Sequence, residues 1–332
     1  MKAHLLPIAL LCLTATACDK VKELAGQARA TTEEKVQQVS AQATGKPAPQ
    51  TTPPVDPKLQ ALVDQTPEGV VFRKDLPFPS HLEITNIEKI TYRNALTFRS
   101  SELGRESQRM EGTLSSESTI KRNGGEAIIT LGKKILTKPN PEKPEEPFTE
   151  VIQDGKAGKS LRLTLHATTW LPDAGADFHG RVWAEEVKGH TSEILIDSGA
   201  IPRTLWFSKK RLKIGDAVPL SASHLPVLFD SQGKGNVTLT LQSIEAVNGH
   251  PCGVFSVTGD YSCKNSQHVD GSRSDTEMTI QSGKVWLSVL HPLILKKELE
   301  VIITLTQSSN GGLSSRTQGG MALSLERIWK AE

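Results

Sequence analysis

The sequence predicts a mainly β protein, with one or more large curved antiparallel sheets (a half-barrel or two related β subdomains) behind a short helical and proline-rich N-terminal tether. Polar and apolar residues alternate repeatedly, as in KSLRLTLHATTW at 159–170, and this period of two is typical of strands with one solvated face. Asn-Gly pairs at 123–124 and 248–249 separate alternating runs and predict hairpins, because both turn residues need positive φ. Helical patterns are confined to 56–65 and 291–299.

The strands are expected to follow one another through tight turns. Alternation predicts strands at 81–93 and 110–120, and the segment CGVFSVTGDYSC at 252–263 is expected to form one strand. Ser282-Gly283 is predicted to be a turn, and Asn310-Gly311-Gly312 the loop of a long C-terminal hairpin. This order favours broad, twisted antiparallel sheets.

The N-terminus predicts an export signal that ends in a lipidation site. Lys2 precedes an apolar stretch, Leu5 to Leu13, that is too short to span a bilayer. Small residues then lead to Cys18, and this resembles the lipobox of bacterial lipoproteins. The resemblance implies removal of residues 1–17 and acylation of the cysteine, and acyl chains anchor a protein by about 0.8 kcal/mol per buried methylene. The alternative is an ordinary secretory signal.

These features predict an anchored protein of the bacterial cell envelope that faces the periplasm. Its expected partners are the membrane, through acyl chains on Cys18, and a lipid or another envelope protein. Asp19 follows the cysteine, and in enterobacterial lipoproteins an acidic residue there resembles an inner-membrane retention signal. Because this rule differs between bacterial groups, the choice between inner and outer membrane stays open.

The chain is divided here into a signal, a tether and two β-rich halves. The tether, 18–57, lacks the apolar heptads of a coiled coil and ends in a proline-rich linker. The N-terminal half is 58–205 and the C-terminal half 206–332. Each half contains one of the Asn-Gly pairs.

Composition and motifs argue against several classes of function. The net charge is +2, with basic and acidic residues interspersed, so a nucleic-acid partner is not expected. The sequence contains no Gly-x-Ser-x-Gly, His-Glu-x-x-His, phosphate loop or dinucleotide fingerprint. Asp177, His179 and His190 lack a further ligand at a diagnostic spacing. We therefore expect neither a metal nor a cofactor.

Cys252 and Cys263 are the two cysteines of the predicted body. In an exported protein such a pair suggests a disulfide. On one straight strand, however, the two residues would be roughly 36 Å apart, far beyond disulfide reach. Only a sharp fold at Gly259-Asp260 would change this, so both outcomes stay open.

The segment ILIDSGA at 194–200 resembles the catalytic signature of aspartic proteases. Those enzymes need two carboxylates that share a proton, so a single Asp-Ser-Gly at 197–199 would require a symmetric homodimer with Asp197 as the catalytic residue. The simpler interpretation is a strand that ends in a turn, with Gly199 supplying positive φ. We favour the turn.

The C-terminal half carries a family resemblance. The stretches LWFSKKRLKIGDAVPL, GNVTLTLQSIEAVNGHPCGVFSV, SGKVWLSVLHP and GGMALSLERIW follow one another between 205 and 329. Their order resembles half-barrel envelope lipoproteins of the carrier type (LolA/LolB/LppX-like). The resemblance implies a curved sheet around an apolar groove that binds an acyl chain. The tryptophans proposed to line such a groove are Trp170, Trp183, Trp206 and Trp286.

Three functional hypotheses follow. The first is a non-enzymatic binding or carrier module for an apolar ligand. The second is a structural or scaffolding envelope lipoprotein without a small ligand. The third is a dimeric aspartic protease that uses Asp197. We favour the non-enzymatic hypotheses, and binding over scaffolding, because a large curved sheet with few helices leaves an apolar face that needs cover.

Overall fold

The computed structural model describes residues 56–73, 76, 78–101, 104–143, 145–152, 157–166, 169–172, 211–229, 233–267, 273–309 and 313–331. These residues confirm the predicted fold class: long antiparallel strands dominate, and helix is confined to two short segments. In chain order the elements are α1 (Pro57–Gln60), β1 (Gln65–Thr66), β2 (Gly69–Val71), β3 (His81–Ser101), β4 (Gly104–Asn123), β5 (Glu126–Lys138), β6 (Phe148–Ile152), β7 (Ser160–His166), β8 (Thr169–Pro172), β9 (Arg211–Leu212), β10 (Ala217–Pro219), α2 (Leu225–Phe229), β11 (Lys234–Val247), β12 (His250–Gln267), β13 (Arg273–Ser288), β14 (Ile294–Ser308) and β15 (Ser314–Ala331).

Twelve strands form one antiparallel sheet in the order β10-β11-β12-β13-β14-β15-β3-β4-β5-β7-β8, with β6 beside β5. Over the described residues the sheet is open, because β10 and β8 at its two ends do not pair with each other. β1, β2 and β9 make a separate small sheet. The two halves of the chain meet where β15 pairs with β3 along almost its whole length, from Ala331↔Leu82 to Ser314↔Ser100.

The two Asn-Gly hairpins differ in their turns. Val247 pairs with His250, so Asn248-Gly249 is the two-residue loop, and both residues have positive φ (50° and 80°). This hairpin is as predicted. At the first site Asn123 pairs with Glu126, so the loop is Gly124-Gly125. The hairpin is confirmed there but the predicted turn is wrong by one residue, because the loop needs positive φ at its first position, where Gly124 has a φ of 57° at no steric cost.

Two local predictions are wrong. The expected helix at 291–299 is a turn at 289–293 followed by β14, because Ile294 and Leu295 are both buried within the sheet. The expected turn at Ser282-Gly283 lies inside β13. There a glycine is required by packing, because a Cβ on Gly283 would lie 2.6 Å from Leu299 Cδ2. The predicted helix at 56–65 is confirmed only as the short α1.

β12 is continuous through 252–263, as predicted. No disulfide joins its two cysteines: Cys252 and Cys263 are free thiols, and both are buried. The tight hairpin that pairing would require is absent from β12, so the strand keeps the two thiols apart.

One cluster of the hydrophobic core lies at one end of the sheet, which we call the near end. This end carries the turns at 124–125, 248–249 and 289–293; the connections β3–β4, β12–β13 and β14–β15 lie at the opposite, far end. Each fully buried Leu or Ile in the core contributes about 1.5–3 kcal/mol relative to an exposed one. The buried members of this cluster are Phe78, Leu82, Ile84, Ile120, Ala127, Ile129, Leu161, Leu163, Val247, Cys252, Val254, Trp286, Leu293, Leu295 and Trp329.

A bulge in β3 changes which residues face inward. We call the face that carries Leu82 and Ile84 the inner face. Asn94 has a φ of 53°, and the register with β4 shifts between Tyr92 and Ala95. The extra residue reverses the alternation. Beyond the bulge, Ala95 is therefore buried while Leu96 and Phe98 are exposed on the outer face.

Candidate functional site

A row of aliphatic side chains crosses four neighbouring strands on the inner face. Leu323 of β15 pairs with Ile90 of β3. Ile90 pairs in turn with Leu114 of β4, and Leu114 pairs with Leu136 of β5. Directly paired residues share a face, and three strand spacings of about 4.8 Å make the row roughly 14 Å long. We call these four residues the aliphatic row.

The aliphatic row is the open part of a layer that is otherwise buried. All four members are partly exposed. On its β14 side the layer continues from Leu323 to Leu299, and further on to Val257 of β12 and Leu239 of β11, each only 1% exposed. Aliphatic side chains therefore change from buried to accessible where the sheet passes from β14 to β15.

The short helix α2 covers part of the buried side. Leu225 and Leu228 are almost fully buried, and the Leu228 carbonyl accepts a 2.7 Å hydrogen bond from Lys297 Nζ of β14. Phe229 stacks on Tyr261 of β12 with 4.2 Å between ring centroids. These contacts hold α2 against β12 and β14.

Polar side chains border the aliphatic row on β3, β4 and β5, whereas its β15 neighbours Met321 and Leu325 are apolar and buried. Towards the near end the next inward positions are Glu88 and Ser116, with Lys134 opposite Ser116. Towards the far end Tyr92 lies opposite Gly112. Burial raises the pKa of Tyr92 to about 12, so its phenol stays neutral at physiological pH. The site thus combines an apolar strip with charged and neutral polar groups at its margins.

A hydrogen-bonded polar layer separates the aliphatic row from the near-end core. Arg327 Nε donates to Asn86 Oδ1 (3.0 Å), and Arg327 Nη1 donates to the Ile294 carbonyl (2.7 Å). Asn86 Nδ2 donates to Ser118 Oγ (3.1 Å). Because Arg327 and Asn86 are buried, these bonds fix β14, β15, β3 and β4 relative to one another.

Two histidines from distant parts of the sequence meet at the near end. His250 of β12 and His291 lie with ring centroids 5.9 Å apart, and both contact the Trp329 ring. Ser288 Oγ accepts hydrogen bonds from the backbone N–H groups of Leu290 and His291. His250 Nε2 lies 2.6 Å from Ser288 Oγ and shares a hydrogen bond with it.

Burial keeps His250 uncharged. Its pKa falls to about 3, first because burial penalises the charged ring and second because His291 is close. Among the described residues no hydrogen-bond partner reaches His250 Nδ1. Ser288 and His250 are closed to solvent at 3% and 1% exposure, so this serine–histidine pair stabilises the fold and offers no nucleophile to a substrate. Burial also raises the pKa of the Cys252 thiol.

Few of the predicted site residues fall in the described part of the chain. Trp286 lies in the near-end core at 8% exposure, with Lys296 Nζ 4.7 Å from its ring centroid. Trp170 lies in β8. The lipidation candidate, the Asp-Ser-Gly turn, the histidine candidates and two tryptophans lie outside the described residues: Cys18, Asp197, Asp177, His179, His190, Trp183 and Trp206.

The described residues contain no group of three or more His, Cys, Asp or Glu side chains placed to hold a metal ion. The same residues include no helix with the length and apolar character needed to cross a bilayer.

Comparisons with known proteins add no assignment. No protein-family model matches the chain, and no curated protein matches it. The argument for function therefore rests on the chain's own residues.

Sequence reasoning missed both the aliphatic row and the histidine cluster. Each member of the row is an ordinary apolar residue in an alternating strand, and only the register of β15, β3, β4 and β5 brings the four together. His250 carried a usable signal, because it directly follows the predicted Asn248-Gly249 turn. His291 did not, because it begins the segment 291–299 that was predicted to be a helix. Turn residues that share one end of an antiparallel sheet lie close in space.

Proposed function

We propose that the protein is a lipid-anchored component of the bacterial cell envelope that binds an apolar ligand on the inner face of its sheet, without catalysing a reaction. The aliphatic row carries this proposal. Four aliphatic side chains in register are partly exposed, whereas the same layer is almost fully buried on its β11–β14 side. A contiguous apolar strip with polar margins is typical of a ligand site.

The chemistry of the site favours an extended hydrocarbon chain with a polar end. An alkyl chain laid along the row would remove apolar surface from water on both partners, at about 0.8 kcal/mol per buried methylene. Glu88, Ser116 and Lys134 on one margin, and the Tyr92 phenol on the other, offer hydrogen bonds to a head group. A fatty acid or a simple acyl lipid fits this pattern.

The anchor belongs to the same proposal. Small residues before Cys18 support acylation there, and the tether at 18–57 supports a folded body held away from the bilayer surface. Metabolic labelling with a radioactive fatty acid tests it: the parent chain is expected to carry label, and the C18S variant none. Label of equal intensity in both chains would contradict acylation at Cys18.

The binding proposal is tested with a fluorescent polyunsaturated fatty acid whose emission rises in apolar surroundings. We expect the parent chain to bind it and the L114Q variant to bind at least tenfold more weakly, because a polar amide would interrupt the row at its centre. L96Q is the matched control, since Leu96 lies on the outer face of the neighbouring strand. Equal loss in L96Q and L114Q, or no loss in either, would contradict binding at this face.

Scaffolding remains the second candidate, supported by one observation. The inner face of β11–β14 is already filled, with Leu239, Val257 and Leu299 almost fully buried. A scaffold of this kind would retain no lipid. Native mass spectrometry of the chain purified from its own envelope separates the two candidates: a co-purified lipid supports binding, and an unliganded mass supports scaffolding.

A further inference from the structure

A second exposed surface lies on the outer face at the far end of the sheet. Leu96 and Phe98 of β3 are 45% and 48% exposed. Arg316 of β15 is paired directly with Phe98, and Arg105 of β4 is paired with Ser100, two residues further along β3. We call Leu96, Phe98, Arg105 and Arg316 the far-end patch.

Two arginines give the far-end patch a positive charge. Arg105 and Arg316 are exposed, and neither forms an ion pair in the described part of the chain. Their neighbour Arg109 pairs with Glu111, so it contributes little net charge. Glu106 is adjacent to Arg105 in sequence, but it is the cross-strand partner of Arg99 and therefore lies on the inner face. The patch is therefore apolar and cationic together.

The backbone of the far-end patch is already satisfied. β3 is hydrogen-bonded to β15 on one side and to β4 on the other, so it offers no free edge on which a partner strand could pair. Recognition must come from side chains, through non-directional apolar contact and positive charge. An aromatic ring beside arginines, whose apolar stems lie along a surface while the guanidinium stays in water, suits the interface of a bilayer.

The far-end patch is remote from the point where the tether joins the body. Asp56 N–H donates to the Gly249 carbonyl (2.9 Å) at the near end. β3 starts at His81 beside this end, and Phe98 lies roughly 55 Å further along at about 3.3 Å per residue. The patch and the aliphatic row also lie on opposite faces, so both can be occupied at once.

We propose that the far-end patch binds a bilayer surface that carries anionic lipid. Phe98 and Leu96 enter the interface, and Arg105 and Arg316 contact lipid phosphates. The contact orients the sheet relative to a membrane surface, and it requires neither the acyl anchor nor the ligand site.

The test places a tryptophan probe in the patch of the full chain. The F98W variant is mixed with vesicles of phosphatidylcholine alone, or of phosphatidylcholine with phosphatidylglycerol, each containing a spin-labelled lipid that quenches indole emission. The parent's emission is subtracted to isolate the probe. The control is I214W, because Ile214 is the most exposed of the large hydrophobic residues at 70% and lies in the β9–β10 turn, away from the patch.

We expect the F98W probe to be quenched by anionic vesicles at low salt, with little quenching by neutral vesicles or at high salt. Adding R105S and R316S should weaken vesicle binding by about fivefold for each arginine removed. The R162S variant is the matched control for a lost exposed arginine and should bind as the parent does. Circular dichroism confirms that each variant keeps its sheet.

Several results would overturn the proposal. These are equal quenching by neutral and anionic vesicles, no quenching by either, or unchanged binding after both arginines are removed. Quenching that needs native envelope membranes, and is lost when their proteins are digested, would assign the patch to a protein partner. Failure of acylation at Cys18 would leave these results unchanged, because the anchor is tested separately by metabolic labelling of the parent and the C18S variant.

Discussion

Lowering the pH from 7 to 5 is expected to destabilise the protein through His250. The ring is 1% exposed, lies with its centroid 5.0 Å from that of Trp329 and is close to His291. Its Nε2 is hydrogen-bonded to Ser288 Oγ, and protonation of the ring would place a charge in the core. Within the cluster, His291 is the titratable group whose charge opposes that of His250.

The sign and size of the effect follow from linkage. The folded-state pKa of His250 is about 3, below the unfolded value of 6.5. The unfolded chain therefore binds more protons below pH 6.5, and stability is lost as the pH falls. Between pH 7 and pH 5 these two values give a loss of about 2 kcal/mol. Glu83, whose pKa is lowered chiefly by its hydrogen bond with Lys121, titrates below this window.

Urea unfolding followed by tryptophan fluorescence at pH 7, 6 and 5 measures the effect as a free energy of unfolding. The H250N variant is the control, because its side chain is polar and does not titrate. We expect the parent to lose about 2 kcal/mol more than H250N over this range. A parent whose stability is unchanged down to pH 5, or an H250N variant with the same pH dependence, would refute the reasoning.

Three further predictions concern the sheet itself. I129A removes a fully buried core side chain and should cost about 2–5 kcal/mol by thermal or urea unfolding. I128A should lower the free energy of unfolding by less than half as much, because Ile128 lies on the other face of β5 and is partly exposed. G259A should lower the free energy of unfolding by roughly 2 kcal/mol more than G104A does. Both glycines have positive φ, but only at Gly259 would a Cβ strike a neighbouring strand. Equal losses of stability would contradict this. Cys252 should react with a thiol reagent only after unfolding, and mass spectrometry should find no disulfide.

The sequence predicted the fold class because local pattern and global structure agree in most strands. β3, β7 and β14 alternate between more and less buried residues over much of their length, so period two is visible without any knowledge of partners. The Asn248-Gly249 hairpin was equally local, since turn chemistry alone fixes its register.

The local errors occurred where tertiary packing decides the conformation. Ile294 and Leu295 are consecutive and both buried, which breaks the alternation and imitates one side of a helix. Gly283 imitates a turn, although its missing side chain leaves room for Leu299. Neither cause can be recognised from a single strand.

The candidate site was not predictable in detail because it depends on long-range register. Leu323 and Ile90 lie at opposite ends of the body in sequence, yet they are cross-strand partners. A shift of one residue in this pairing would turn either side chain to the outer face. The resemblance to carrier half-barrels supplied the expectation of an apolar inner face, but it proposed tryptophans, and the partly exposed strip found among the described residues is aliphatic.

The most direct test of the central claim is photochemical mapping of the bound chain. A fatty acid that carries a diazirine in its tail is bound to the full chain, irradiated, and located by proteolysis and mass spectrometry. Binding on the inner face predicts adducts on peptides that contain Ile90, Leu114 or Leu136, and their displacement by unlabelled fatty acid. Adducts centred on Leu96 or Ile302 of the outer face, or labelling that unlabelled fatty acid does not displace, would contradict it.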